Sequence, residues 1–122
     1  MAFLLDSNIV IYSYKAEFRY LRNLVADSAA CISEISRVEI LGYHQLKADE
    51  EKYYHEMFDF INIIDTSKEI FDKAIEVRRQ FNLKLGDSII AATAIIYGLD
   101  LYTRNMGDFL KIQSLPCIDP IR

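Results

Sequence analysis

Along this chain, short apolar runs alternate with longer segments patterned for helix, and that alternation leaves few folds open. The runs are Ala2–Leu5, Ala29–Ile32, Asn62–Asp65, Leu99–Thr103 and Cys117–Ile118. Of the segments between them, Thr66–Phe81 has the clearest helical spacing, with Ile70, Phe71, Ala74, Ile75, Val77 and Phe81 recurring along one side. Asp87–Tyr97 is apolar nearly all round, so it is expected at the heart of the fold, and Gly98 is expected to stop it. Further helices are expected at Asn8–Tyr14, Glu17–Ala26, Arg37–Lys47 and Asp49–Phe60, with a turn and short helix over Asn105–Lys111. Strands alternating with helices favour an α/β fold, a central parallel β-sheet with helices on both faces. Pro116 and Pro120 bracket Cys117–Ile118 and place it at a sheet edge.

A length of 122 residues fits one domain spanning 1–122, and a hydrophobic fraction of 52% is enough for its core. The formal net charge is −4. That balance excludes a general-purpose nucleic-acid coat, which would be basic. It leaves room for a nuclease that gathers carboxylates and keeps a few cations beside them. No basic region precedes the apolar N-terminus, so a signal peptide is not expected. The longest apolar run, Ile89–Tyr97, is far short of the ~20 residues of a membrane helix. A cytoplasmic protein without membrane contact is the expectation. Cys31 and Cys117 lie in apolar runs, as a disulfide or as two buried thiols. His44 and His55 have no Cys or second His at ligand spacing and read as helix-surface residues.

In open parallel sheets, ligands bind beyond the carboxyl ends of the strands. Asp6 ends the first strand, and Asn8 follows two residues later. Thr103, Arg104, Asn105 and Asp108 follow the fourth strand in the same way. Asp87 opens the buried helix, and Glu39 lies near the start of the helix after the second strand. Each acid also has a structural reading. Asp6 could cap the first helix. Ser36 to Glu39 matches a capping box with Ser36 as N-cap. Asp87 could be an N-cap or a dipole partner, and Asp108 a turn residue. Gathered at one edge, the four would repel. Two like charges ~4 Å apart cost about 1 kcal/mol in water and about 4 at an effective dielectric near 20. Some are then protonated, or a cation is present. A set of oxygen donors without His or Cys suits Mg²⁺ or Mn²⁺. Such ions can activate water for phosphodiester cleavage.

Four stretches, Phe3–Tyr12, Ser33–Glu39, Leu85–Ala94 and Tyr102–Phe109, together resemble the PIN-domain family, specifically its VapC-type toxin branch. They occur in the family's order and span nearly the whole chain. The resemblance implies a three-layer Rossmann-like sandwich. It implies an Mg²⁺- or Mn²⁺-dependent endoribonuclease acting on structured cellular RNA and neutralised by a small cognate antitoxin. The family's acidic positions fall on Asp6, Glu39, Asp87 and Asp108, and its supporting polar positions on Asn8, Thr103 and Asn105.

Lys84 and Arg104 flank these acids in sequence and are candidates for RNA contacts, or plain solvated cations. Lys15 is a third, in a basic patch with Arg19 and Arg22. Eight tyrosines exceed what one small core can bury, so some are expected at a homodimer or antitoxin interface. A phosphorelay receiver would need an acidic pair after the first strand, where Asp6 stands alone before Ser7. A haloacid-type phosphatase would need an acid at Asn8. The stronger rival is a PIN-like module that binds RNA or protein without cutting.

Overall fold

The computed structural model describes all residues from Met1 to Arg122. Five strands, β1 (Phe3–Leu5), β2 (Ala30–Ser33), β3 (Asn62–Ile64), β4 (Asp100–Tyr102) and β5 (Cys117–Ile118), form one sheet in the order β3-β2-β1-β4-β5. Every pairing is parallel. The chain moves outward from β1 to β3, then crosses back to lay β4 on the other side of β1. That reversal makes the β1–β4 boundary the switch point at which such sheets hold ligands. Leu5 is level with Ile32 on one side and Tyr102 on the other. Asp6, Ser33 and Thr103 therefore reach one edge together.

Alternation along the strands divides the core in two. Phe3, Leu5, Ala30 and Ile32 face one way, packing with Ile9, Val10, Val25, Ile40 and Met57. These come from α1 (Ser7–Tyr14), α2 (Leu21–Val25), α3 (Glu34–Leu41) and α4 (Ala48–Phe60). Leu4, Cys31 and Leu101 face the other way, onto Val77, Ile90, Ala91, Ala94 and Phe109. These belong to α5 (Lys68–Phe81), α6 (Leu85–Tyr97) and α7 (Met106–Phe109). The result is the expected three-layer α/β sandwich. α6 is buried from Ser88 through Ala94, as its unbroken apolar composition requires. Gly98, at φ +65°, ends it in the left-handed conformation that glycine adopts without strain.

Three local expectations are corrected. The helix expected at Glu17–Ala26 is a 3₁₀ turn at Ala16–Phe18 followed by the short α2. Arg22 donates from Nε to the Ser13 carbonyl at 2.8 Å and from Nη2 to the Tyr14 carbonyl at 2.9 Å. It satisfies the carbonyls at the end of α1 and does not belong to a free basic patch. The helix expected at Arg37–Lys47 begins at Glu34, where Ser33 caps it by accepting from the Ile35 N–H, and ends at Leu41 with Gly42 as its C-cap. His44 consequently lies in a turn, exposed, not on a helix. α6 begins at Leu85 with Lys84 as its N-cap, so Asp87 stands inside the first turn. Cys31 and Cys117 are free thiols on β2 and β5. No helix is long and apolar enough to cross a membrane.

Candidate metal centre

Asp6 is 5% exposed and links β1 to α1 at the β1–β4 switch point. Its Oδ1 accepts from the Ser7 N–H at 2.8 Å, and its Oδ2 accepts from Thr103 Oγ1 at 2.7 Å. The residue therefore caps α1 and ties β1 to β4 with the same carboxylate. Burial, opposed by the Thr103 hydrogen bond and then reinforced by the charges of Asp87 and Glu39, pushes its carboxyl from 3.8 up to about 6. Asp87 is also raised, chiefly by burial and then by Glu39 and Asp108, against a lowering influence from Lys84. These mutual influences place all four acids in one linked field at the carboxyl end of the sheet.

The supporting polar groups divide between two tasks. Thr103 Oγ1 holds Asp6 and accepts from the Asn105 N–H at 2.9 Å. Asn105 Nδ2 reaches Asp108 Oδ2 at 3.0 Å and Asp87 Oδ2 at 3.4 Å, bridging α6 and α7. Asn8 turns elsewhere: its Oδ1 accepts from the Arg104 N–H at 3.3 Å, which fastens α1 to the loop after β4. Asp108 also lies 3.7 Å from Lys111 Nζ.

Glu39 is positioned by two residues that sequence reasoning did not place in the site. Ser7 Oγ lies 2.6 Å from Glu39 Oε1 and 2.8 Å from Ser36 Oγ. Ser36, fully buried, is therefore not the cap of a capping box, and Glu39 does not reach back to it. Its hydroxyl instead joins Ser7, 29 residues away. On the other side, a Cβ built on Gly86 would stand 2.5 Å from Glu39 Oε2. Only a residue without a side chain lets that carboxylate lie against the first turn of α6. The adjacency of Ser7 to Asp6 is the one sequence signal that could have suggested its place here.

As the side chains stand, no group of three Asp, Glu, His or Cys residues closes into a ligand set. The donor chemistry nonetheless fits a hard divalent cation. Mg²⁺ keeps several of its waters and needs only one or two carboxylates. Buried Asp6, half-buried Asp87 and exposed Glu39 offer oxygen alone, and their mutual repulsion is what a cation would relieve.

The Asp6 carboxyl carries a sign that can be measured. The unfolded chain releases this proton near 3.8 and the folded chain near 6. Between those values the folded state binds more protons, so stability falls as pH rises through the window. The loss is complete above pH ~6 and is on the order of 3 kcal/mol. Thermal melts of the metal-free protein should fall in Tm from pH ~4 to ~7, and Mg²⁺ or Mn²⁺ should restore Tm more at pH 7 than at pH 5. Equal recovery at both would show that the ion does not meet Asp6.

The chain matches the model of the PIN domain over residues 3–113, a span that holds all four acids. In fold it is similar to a toxin–antitoxin complex from Klebsiella pneumoniae, at 29% identity and a TM-score of 0.81, over 99% of each chain. It is similar to VapBC2 from Rickettsia felis bound to a promoter DNA fragment, at 22% identity and 0.79, covering 97% of this chain and 98% of that one. It is also similar to DNA-bound VapBC from Salmonella typhimurium, at 22% identity and 0.77, over 98% of both. No curated protein gives a significant match. With a parallel sheet in the 3-2-1-4-5 order, four acids at its switch point and a family match across almost its full length, the chain belongs to the PIN domain family.

Proposed function

We propose that this protein is a VapC-type toxin, an Mg²⁺- or Mn²⁺-dependent endoribonuclease that hydrolyses phosphodiester bonds of structured RNA in the cytoplasm. The observation that carries the reading is the gathering of Asp6, Glu39, Asp87 and Asp108 at the carboxyl end of the sheet, tied together through Ser7, Thr103 and Asn105. Asp6 and Asp87 would be the inner ligands of the principal ion, with Glu39 direct or through water. Asp108 would complete that site or help hold a second ion. A divalent ion there supplies a Lewis acid that lowers the pKa of water and offsets phosphate charge. The chain's own residues set the geometry. Thr103 keeps Asp6 oriented, Asn105 spaces Asp87 from Asp108, and Ser7 holds Glu39. Lys84 is the cation whose charge lowers the Asp87 carboxyl, and in this reading it would meet a phosphate.

The likeness to solved toxin–antitoxin complexes supports a small antitoxin as partner. A homodimer is part of the same reading. Exposed apolar residues such as Phe71 and Ile75 on α5 and Tyr43 beyond α3 supply surface for such contacts. The test is incubation of purified, partner-free protein with total cellular RNA, with Mg²⁺ or Mn²⁺ and with EDTA, beside Asp87→Asn. Discrete fragments that require both the metal and Asp87 are expected. Uncut RNA under every metal, with RNA still bound, would favour a PIN-like binding module instead.

A further inference from the structure

Four carboxylates repel the phosphates they are proposed to cleave, so an RNA strand needs countercharge at the rim of the cluster. One place on the rim has it in an organised form. Tyr12, half-buried on α1, has Lys15 Nζ 5.0 Å and the Arg104 guanidinium 5.2 Å from its ring centroid, both within cation–π range. Phe18 meets the same ring edge-on at 4.9 Å and fixes it. Lys15 and Arg104 are both exposed, and neither has a carboxylate partner within 4 Å.

Two connections place this trio beside the acids. Arg104 directly follows Thr103, the residue bonded to Asp6, and its N–H is held by Asn8. Lys15 and Glu39 line one cavity of about 300 Å³. Covering the open part of one half-buried ring needs one cation. A second unpaired cation on the same ring, next to a cluster of like-charged acids in a chain of net charge −4, is better matched to an anion than to packing.

Resting on the nuclease reading, we propose that Tyr12, Lys15 and Arg104 form a subsite for one unpaired nucleotide of RNA next to the scissile phosphate. The two cations take its phosphate, and the aromatic and guanidinium surfaces take its base. Single-stranded RNA is the occupant because a base locked in a duplex cannot present its face to a side chain.

The experiment is binding of a fluorescent ten-nucleotide oligouridylate to the cleavage-impaired Asp87→Asn chain with Mg²⁺, followed by anisotropy across a salt series. Each phosphate contact on a single strand contributes a slope of about 0.7 in log K against log salt. The added pair Lys15→Gln and Arg104→Gln should flatten the slope by about 1.4, whereas Lys52→Gln, on α4, should leave it unchanged. Tyr12→Leu should weaken binding at least about fivefold, the lower end for loss of one stacked base, and Tyr12→Phe should retain it. Unchanged slope and affinity in the double variant, in a protein whose parent cuts RNA, would overturn the subsite and leave the nuclease standing. If the parent neither cuts nor binds RNA, the nuclease reading fails and the subsite falls with it.

Discussion

Asp6→Asn should abolish most RNA cleavage while making the metal-free protein more stable. The two effects have one cause. At neutral pH the buried Asp6 carboxylate is held charged against its surroundings, which push it up to about 6. A neutral amide of the same shape removes that penalty, on the order of 3 kcal/mol at most. Its carbonyl can still accept from one of the two donors, and its NH₂ can donate to Thr103 Oγ1. The expected net result is a Tm several degrees higher without metal and no further rise on adding Mg²⁺. Catalytically, the lost ligand removes several kcal/mol of transition-state stabilisation, and each ~1.4 kcal/mol is tenfold in rate. A fall of roughly 10²- to 10³-fold in cleavage follows. Parallel melting curves and cleavage rates check both halves. A variant that is destabilised as well as inactive would show that Asp6 serves the fold first, as a cap and strand tie.

Gly86→Ala should also separate activity from stability. The new methyl group would stand 2.5 Å from Glu39 Oε2 and 3.3 Å from its Cδ, so the Glu39 carboxylate must move. That movement is cheap for the fold, since Glu39 is exposed and buries no apolar surface in either core. Alanine also favours helix over glycine by about 1 kcal/mol. A displacement of order 1 Å in a site residue costs roughly 10²-fold in rate. Unchanged or slightly raised Tm with cleavage reduced about a hundredfold is therefore expected. Ser7→Ala should act on the same carboxylate through Oε1. The rate effects of the two changes together should fall short of their product, because both work through Glu39. Full activity in Gly86→Ala would remove Glu39 from the machinery.

The sequence carried the fold well because its signals were local and redundant. β1, β3 and β5 stand within one residue of the expected runs, and Gly98 ends α6 where its freedom at positive φ predicts. The rule that sites form at strand ends led to Asp6 and Thr103 without reference to contacts. Local pattern put the cap of α3 at Ser36, where the structure has Ser33. Ser33 and Ser36 are both chemically suited, and the Ser36–Glu39 spacing matches a capping box. Ser36 shares a buried face with Ile40 one turn on, however, and Ser7, far away in sequence, claims its hydroxyl. No local pattern encodes that partnership. The role of Gly86 was hidden for the same reason: it follows from what approaches from another helix. Arg22 looked like part of a basic patch because charge is visible in sequence, whereas the carbonyls of Ser13 and Tyr14 that occupy it are not.

The tie between Asp6 and Thr103 has a bearing on the order of events during synthesis. β1 is made first yet lies at the centre of the sheet, with one flank open until β4 arrives. The carboxylates of the two ends of the site are separated by almost the entire chain. A growing polypeptide can assemble β1, β2 and the helices between them. It cannot present the finished cluster until Asp108 has left the ribosome. For a protein proposed to cut RNA, that delay keeps the nascent chain harmless to the machinery translating it.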